Sequence, residues 1–484
     1  MAKTGLSKSR IIAGRQCPKR LYLETYHPEL KDDSGSEALF AIGNAFGELA
    51  RDLFPGGLLI EQDDDLRGAL ATTENAMRDD RVETIFEATF SYDGVLVRAD
   101  ILKKENDGLV LTEIKASTSV KPYHAADCAV QAWVLKSLGH DVQRIQLGHV
   151  NNQFVYRGDG NYHGILKEED LTGEVTPIIN QVDQWVTEMR EVLVGDEPEI
   201  AVGPQCSSPY DCPFQDYCWP PMPDYPVSSL PGKGPIVQAL LGEGIEDIRD
   251  IPADRLTNRN QERVRRVTVA GIEELDPKAA ELLNSLPYPR YHLDFETAGP
   301  TIPVWAGMRP NQQVPFQFSC HIESDENTLT HREFLDTTGN PPMRPLAEAM
   351  IDALGDEGPV FMYTGFERRV IHNLIHWLPD LKAPLSRIVD RLVDLYPIVK
   401  EHYYHPDMQG SWSIKKVLPA MVPELQYSDL DGVSDGMAAS NAYLEIIDPE
   451  TTGERKAQLE AELKRYCHLD TLAMVKVAQR LAGG

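Results

Sequence analysis

Asp294-Phe295-Glu296 lies inside the apolar run Arg290-Tyr-His-Leu-Asp-Phe-Glu296. On a strand, residues two apart share a face, so both carboxylates point the same way. A strand-borne pair of this kind is the opening element of a two-metal site, in which one carboxylate can bridge both cations. Near the C-terminus, Tyr466-Cys-His-Leu-Asp470 falls in a helical pattern. Positions four apart are neighbours on a helix, so a phenol and a carboxylate share one face there. A tyrosine in register with Asp470, and the apolar stretch around Asp294, are not what a solvated acidic face requires.

A second acidic constellation lies earlier. Asp100 ends the strand-like Val95–Asp100, and Glu113-Ile-Lys115 lies in the next apolar run. Two carboxylates and a lysine on one sheet edge can hold a divalent cation and orient a water for attack on phosphorus. Taken alone, the E-x-K pattern is as compatible with a cross-strand surface pair. Three of the chain's 7 cysteines, Cys206, Cys212 and Cys218, fall in a short Pro- and aromatic-rich segment. That spacing suits thiolate ligation of a metal centre. The fourth ligand is Cys17 or, as an alternative, Cys128. Cys128, Cys320 and Cys467 sit in apolar surroundings, where a cysteine packs as a small hydrophobe.

The elements that must position these groups follow from pattern. Phe86–Tyr92 and Val95–Asp100 flank an Asp93-Gly94 turn, a hairpin signal. A strand over 109–115 and an amphipathic helix over 125–138 follow. The proline-rich run Pro220–Pro226 marks a boundary. Short helices joined by glycine turns are expected over 227–286, then strands at 290–296, 313–322 and 360–363 and helices at 346–354, 367–378 and 456–481. At 484 residues the chain is too long for one ordinary domain. The expected division is 1–222, a helical connector 223–287, and 288–484, all in the α/β class.

Hydrophobic residues at 42% and charged residues at 25% exclude global disorder. No apolar run approaches the ~18 residues that span a bilayer, and the first residues lack a signal-peptide core. A cytoplasmic protein with no membrane partner is expected. The net charge is 47 − 75 = −28. That balance opposes a phosphate backbone, but a global sum hides local patches. Lys3, Lys8, Arg10, Arg15, Lys19 and Arg20 precede the first acid at Glu24, and six arginines (Arg249, Arg255, Arg259, Arg263, Arg265, Arg266) cluster further on. Either patch is a nucleic-acid contact or a solvated charged face.

Asp100, the E-x-K of Glu113 and Lys115, a helix carrying Gln131, and the framing cysteines together resemble the RecB-like PD-(D/E)XK nucleases with an iron–sulfur staple, among them the CRISPR-adaptation exonucleases. The resemblance covers 8–222. It implies a restriction-endonuclease-like domain in which Cys17, Cys206, Cys212 and Cys218 hold a 4Fe–4S cluster; structural zinc is the alternative. It also implies a catalytic set of Asp100, Glu113, Lys115 and Gln131, with Asp100 and Glu113 on metal. This chain departs from the pattern in having Gly47 where a metal-binding histidine is common, with Glu48 as a possible substitute. Leu135 stands in place of the expected tyrosine, and the first gap in the cysteine trio is longer.

Residues 288–484 resemble the DEDD 3′–5′ exonucleases of the DnaQ-like, ribonuclease-H-fold superfamily, tyrosine subtype. The resemblance implies Mg²⁺ or Mn²⁺ on Asp294, Glu296, Glu367 and Asp470, with Tyr466 orienting a water. Glu367 stands where that family carries aspartate; Asp390 and Asp394 are alternative acids. Lys415 or Lys416 is offered to a phosphate. The whole chain is similar to a bacterial fusion of these two domain types. The expected activity is metal-dependent hydrolysis of nucleic acid, DNA rather than RNA, in processing or repair. Two other readings stay open: a nucleic-acid-binding scaffold with a degenerate RecB-like half, and a zinc-stabilised binding protein without activity.

Overall fold

The computed structural model describes residues 5–32, 37–61, 65–219, 221–232, 234–425 and 432–483. Lys3 of the first basic patch and Pro220 of the boundary run lie outside them. The protein is mixed α/β, in two compact units: Met1–Pro220 with Pro300–Asn311, and Pro221–Gly299 with Gln312–Gly484. No helix of the described residues is long and apolar enough to cross a membrane.

The first unit is built on β1 (Leu6–Ser7), β2 (Leu58–Leu59), β3 (Thr84–Tyr92), β4 (Val95–Glu105), β5 (Gly108–Lys115), β6 (Val142–Val150) and β7 (Leu166–Asp170). Strands β2 to β7 lie side by side in chain order, and β1 pairs with β4. Asp93 and Gly94 turn β3 into β4 with φ of 43° and 69°. Positive φ at both central residues is the twist a two-residue hairpin demands. Parallel pairing of β5 with β6 needs a crossover, and the His124–Ser137 helix makes it. Because that helix is buried from His124 to Leu135 except at Ala126, a polar residue on it must find a partner inside the protein.

The second unit contains β8 (Glu274–Leu275), β9 (Arg290–Ala298), β10 (Val314–Glu323), β11 (Leu329–Leu335), β12 (Val360–Met362), β13 (Leu392–Asp394) and β14 (Tyr403–Tyr404). Its main sheet runs β11-β10-β9-β12-β13. β9, β10 and β11 are antiparallel neighbours, while β12 and β13 run parallel to β9. Period-two alternation divides β9 between two environments. Tyr291, Leu293 and Phe295 join Leu346, Ile371 and Leu374 in an apolar core. His292, Asp294 and Glu296 take the opposite face, which the Gly453–Leu481 helix also covers: Gln317 on β10 donates to the Leu463 carbonyl at 3.1 Å. The segment read as a helical connector does form short helices, including Pro235–Gly242 and Arg259–Ala270. Its Val237, Leu240, Val264 and Val267 share a core with Phe361, Leu395, Tyr403 and Leu481, and β8 pairs with β14. It therefore folds as part of the second unit.

Candidate functional site

In the first unit, β4 carries Asp100, β5 carries Glu113 and Lys115, and the crossover helix carries Gln131. The fold brings all four together. Glu113 is 1% exposed, and its carboxylate accepts from Lys115 at 2.8 Å and from the Gln131 amide. An oxygen of Asp100 accepts from the backbone N–H of Ile114 at 2.6 Å. Burial, and then the charge of Glu113, pushes Asp100 up to about 7. Burial also acts to raise Glu113, but the Lys115 and Lys8 ammoniums outweigh it and hold this carboxyl well below the usual range.

Sequence reasoning missed three members of this cluster. Lys8, counted only as part of a basic segment, is half-buried with Nζ 2.7 and 2.9 Å from the two Glu113 oxygens. Asp127 sits one turn before Gln131 and pairs with Lys115 at 2.8 Å; its i,i+4 spacing from Gln131 was a readable signal. Glu87 lies on β3 opposite Asp100, between the Phe86–Ile101 and Ala88–Ala99 pairs, with φ of 54°. Its carboxylate is 3.6 Å from Arg51. Glu48, the candidate substitute ligand, is an exposed group 4.0 Å from Arg51. The buried Gln131 Oε1 has no hydrogen-bond partner among the described residues. A divalent cation held by Asp100 and Glu113 would suit that oxygen, yet two lysines already supply the countercharge.

The second unit shows the reverse. Asp294 and Glu296 emerge from the polar face of β9, and Glu367 lies in the first turn of the Phe366–Trp377 helix. Just before that turn, Thr364 adopts φ of 77°, a costly conformation of ~1–3 kcal/mol for a β-branched residue. Its N–H donates to Asp394 at 2.9 Å. Tyr466 and Asp470 project from the Gly453–Leu481 helix, both buried. Burial, then the charge of Asp470, raises Asp294 to about 7. Burial, then Asp294, pushes Glu296 and Glu367 well above the carboxylate range. Glu367 Oε2 is buried with no hydrogen-bond partner among the described residues. Asp294 and Glu367 are hydrogen-bonded to each other, and crowded buried acids with an orphaned oxygen on Glu367 form a donor set that divalent cations fit.

Of the alternative acids, Asp394 caps the Leu395–His402 helix through the Tyr396 N–H at 2.9 Å, and Asp390 is exposed. Lys415 and Lys416 are both exposed; the Lys415 Nζ lies 5.2 Å over the Tyr466 ring and its charge lowers both Asp294 and Glu296. Cys467, read as a small buried hydrophobe, is fully buried, but it also joins Asp294 and Glu296 in a group whose ligand atoms lie within 4.8 Å of one another. Asp435, which caps the Gly436–Ile447 helix, adds negative charge at Glu296.

Cys17, Cys206, Cys212 and Cys218 line one solvent-open pocket of about 370 Å³, together with Lys19 and Arg20. Cys128 is buried among the core residues of the first unit. Gln16 ties the N-terminal segment to the cysteine loop, donating to the carbonyls of Gln205 at 2.8 Å and Tyr210 at 2.6 Å. Burial outweighs the Arg20 and Lys19 charges and pushes the Cys212 and Cys218 thiols up; four cysteines on one pocket are nonetheless a donor set that fits a thiolate-ligated metal centre. A single tetrahedral zinc would draw its sulfurs to within ~4 Å of one another. Among the described residues the groups that tight are two, and neither contains these four cysteines.

Both basic patches are internally paired. Arg15 stacks on Trp185 and Lys19 meets Glu197 at 2.8 Å. In the second patch, Arg249 pairs with Asp247, Arg255 with Glu243, Arg259 with Glu401 and both Arg263 and Arg266 with Glu274. Arg265 pairs with Glu262.

Residues 291–413 match a family described as a domain of unknown function, DUF2779. The match includes Asp294, Glu296 and Glu367 and ends before Tyr466. No curated protein matches the chain. A solved structure titled "Crystal structure of SSO0001" is similar at 14% identity and a TM-score of 0.23, over 40% of this chain and 78% of that one.

Proposed function

We propose that the second unit is a metal-dependent nuclease domain that hydrolyses nucleic acid from a free 3′ end, with a ribonuclease-H-like fold and a DEDD-type site. The observation that carries this reading is the convergence of the acids Asp294, Glu296, Glu367 and Asp470, the last three of them buried, with burial and acid–acid repulsion pushing Asp294, Glu296 and Glu367 upward. The mixed sheet, with the acidic strand at its centre, supports it. These four residues would hold Mg²⁺ or Mn²⁺, which when bound supply Lewis-acid charge for hydrolysis at phosphorus. Tyr466, kept as a neutral phenol by burial and then by Asp470, donates a hydrogen bond that orients the attacking water. Lys415 attracts the substrate phosphate. Digestion of 3′- and 5′-end-labelled single-stranded DNA by the full chain, with and without Mn²⁺, tests the reading. A metal-dependent loss of nucleotides from the 3′ end is expected; no hydrolysis by metal-loaded, folded protein defeats it.

For the first unit we keep the RecB-like, PD-(D/E)XK reading with a 4Fe–4S cluster on Cys17, Cys206, Cys212 and Cys218. The pocket lined by all four cysteines supports the cluster. Cys212→Ala should give colourless, poorly soluble protein, because metal binding of this kind is folding free energy. Iron content equal to wild type would rule the assignment out. Lys8 favours the reading in which this half does not hydrolyse: its ammonium already holds the charge of Glu113.

A further inference from the structure

Away from the carboxylates, three histidines meet on the polar face of the main sheet. His321 on β10 and His331 on β11 are register partners, and His468 comes from the Gly453–Leu481 helix. Their ring centroids are 4.4 to 4.6 Å apart. One ring nitrogen of each lies within 4.8 Å of a nitrogen of the other two.

Burial, then the neighbouring rings, lowers His321 to about 3, and burial, then His468, lowers His331 to about 4. Neutral imidazoles are ligands for borderline divalent metals. Hydroxyls hold the rings in place: His321 Nδ1 is hydrogen-bonded to Thr471 Oγ1 at 2.8 Å, and His331 Nε2 to Ser319 Oγ at 2.8 Å. Ser319 and Thr471 are themselves 2.7 Å apart. An outer hydroxyl on one nitrogen, with the second nitrogen kept for a cation, is how protein metal sites orient their histidines. Tetrahedral Zn–N bonds place ligand nitrogens ~3.4 Å apart, so binding would draw the three rings closer together. His331 and His468 are partly exposed, which gives an ion a way in.

We propose that His321, His331 and His468 form a zinc-class site, with water as the fourth ligand, that clamps the last helix to the edge of the sheet. At ~100° per residue, His468 is turned ~200° from Tyr466, so the site stands apart from the carboxylates while fixing the helix that carries Tyr466 and Asp470. The proposal does not rest on nuclease activity.

The test uses the metal-free full chain in an Asp294→Asn/Glu296→Gln background, which removes the carboxylate pair and leaves the cysteines unchanged. Co²⁺ and Zn²⁺ are titrated into this parent and into its His331→Gln and His468→Gln derivatives, with folding checked by circular dichroism. The parent should bind one more equivalent of Co²⁺ than either derivative and show a visible band lacking thiolate charge transfer. Zn²⁺ should raise its melting temperature more than theirs. Equal stoichiometry in parent and derivatives overturns the proposal. Should both derivatives fail to fold, the parent spectrum decides: Co²⁺ bound only with thiolate charge transfer also overturns it.

Discussion

In the first unit the buried Glu113 carboxylate meets Lys8 at 2.7 Å and Lys115 at 2.8 Å. In the second, Asp294, Glu296 and Glu367 are all pushed upward by burial and by acids facing acids. Both regions place acids on a strand at the centre of a sheet and support them from a helix. They differ in where the opposite charge comes from. A buried carboxylate takes the nearest counterion within reach, because isolation in a low dielectric costs several kcal/mol. Two lysines hold Glu113 ionised although its neighbour Asp100 is raised to about 7; at the second site the more distant Lys415 charge does not offset burial and acid–acid repulsion. Acid count alone therefore does not identify a metal site.

The largest effect that would break this comparison concerns stability. Glu113→Gln removes the buried carboxylate that the half-buried Lys8 and Lys115 share, leaving Lys115 its Asp127 pair, and should cost ~3 kcal/mol, read as an earlier denaturant transition of metal-free protein. Adding Lys8→Met to that variant should recover part of the loss. If Glu113→Gln melts like wild type, the lysine pairing is not what holds the first site.

Next comes activity. Asp294→Asn should lower Mn²⁺-dependent release from a 3′ end by at least ~100-fold, the scale of one positioned electrostatic group, while leaving metal-free stability equal or higher. Undiminished hydrolysis would contradict the proposed role of that carboxylate. The same pair separates by pH. Asp294 is raised from its ordinary value to about 7, so the folded chain binds more protons than the unfolded chain between ~4 and ~7. Metal-free stability should therefore fall as pH rises through that window, and Mn²⁺ should oppose the fall. Glu113, shifted down, contributes in the other sense: its stability is present above ~4.5 and is lost only on acidification. Melting curves at pH 5 and pH 8, with Asp294→Asn as control, check the sign; a control with unchanged slope would assign the titration elsewhere. The smallest effect is Tyr466→Phe, expected to cost about 1 kcal/mol, roughly fivefold in rate, as for one neutral hydrogen bond. A loss as large as that of Asp294→Asn would mean that the phenol does more than orient water.

Much of this arrangement was legible beforehand. Alternation around Asp294 and the Asp93-Gly94 turn place their strands, because both signals are local. Helices at His124–Ser137, Phe366–Trp377 and Gly453–Leu481 follow from periodicity and end within a few residues of expectation. The strands Leu329–Leu335 and Leu392–Asp394 were missed: one is half exposed and the other has only 3 residues, so neither gives a strong pattern. The cysteine trio announced itself by spacing, and Cys17 rather than Cys128 lines its pocket, a choice that requires the fold.

The sequence by itself singled out the residues with the candidate chemistry: the acids at 294, 296 and 470, the E-x-K pair, the cysteine trio and the tyrosine one turn from Asp470. Residue type and short-range period carry that information, since a strand or helix fixes which neighbours share a face. Only the tertiary structure decided the charge state of each site. Lys8 and Glu113 are 105 residues apart, and His331 meets His468 across a similar separation. No local pattern encodes such meetings. They arise when distant segments pack over one sheet, and burial then sets which charges are neutralised inside the protein and which still need a partner.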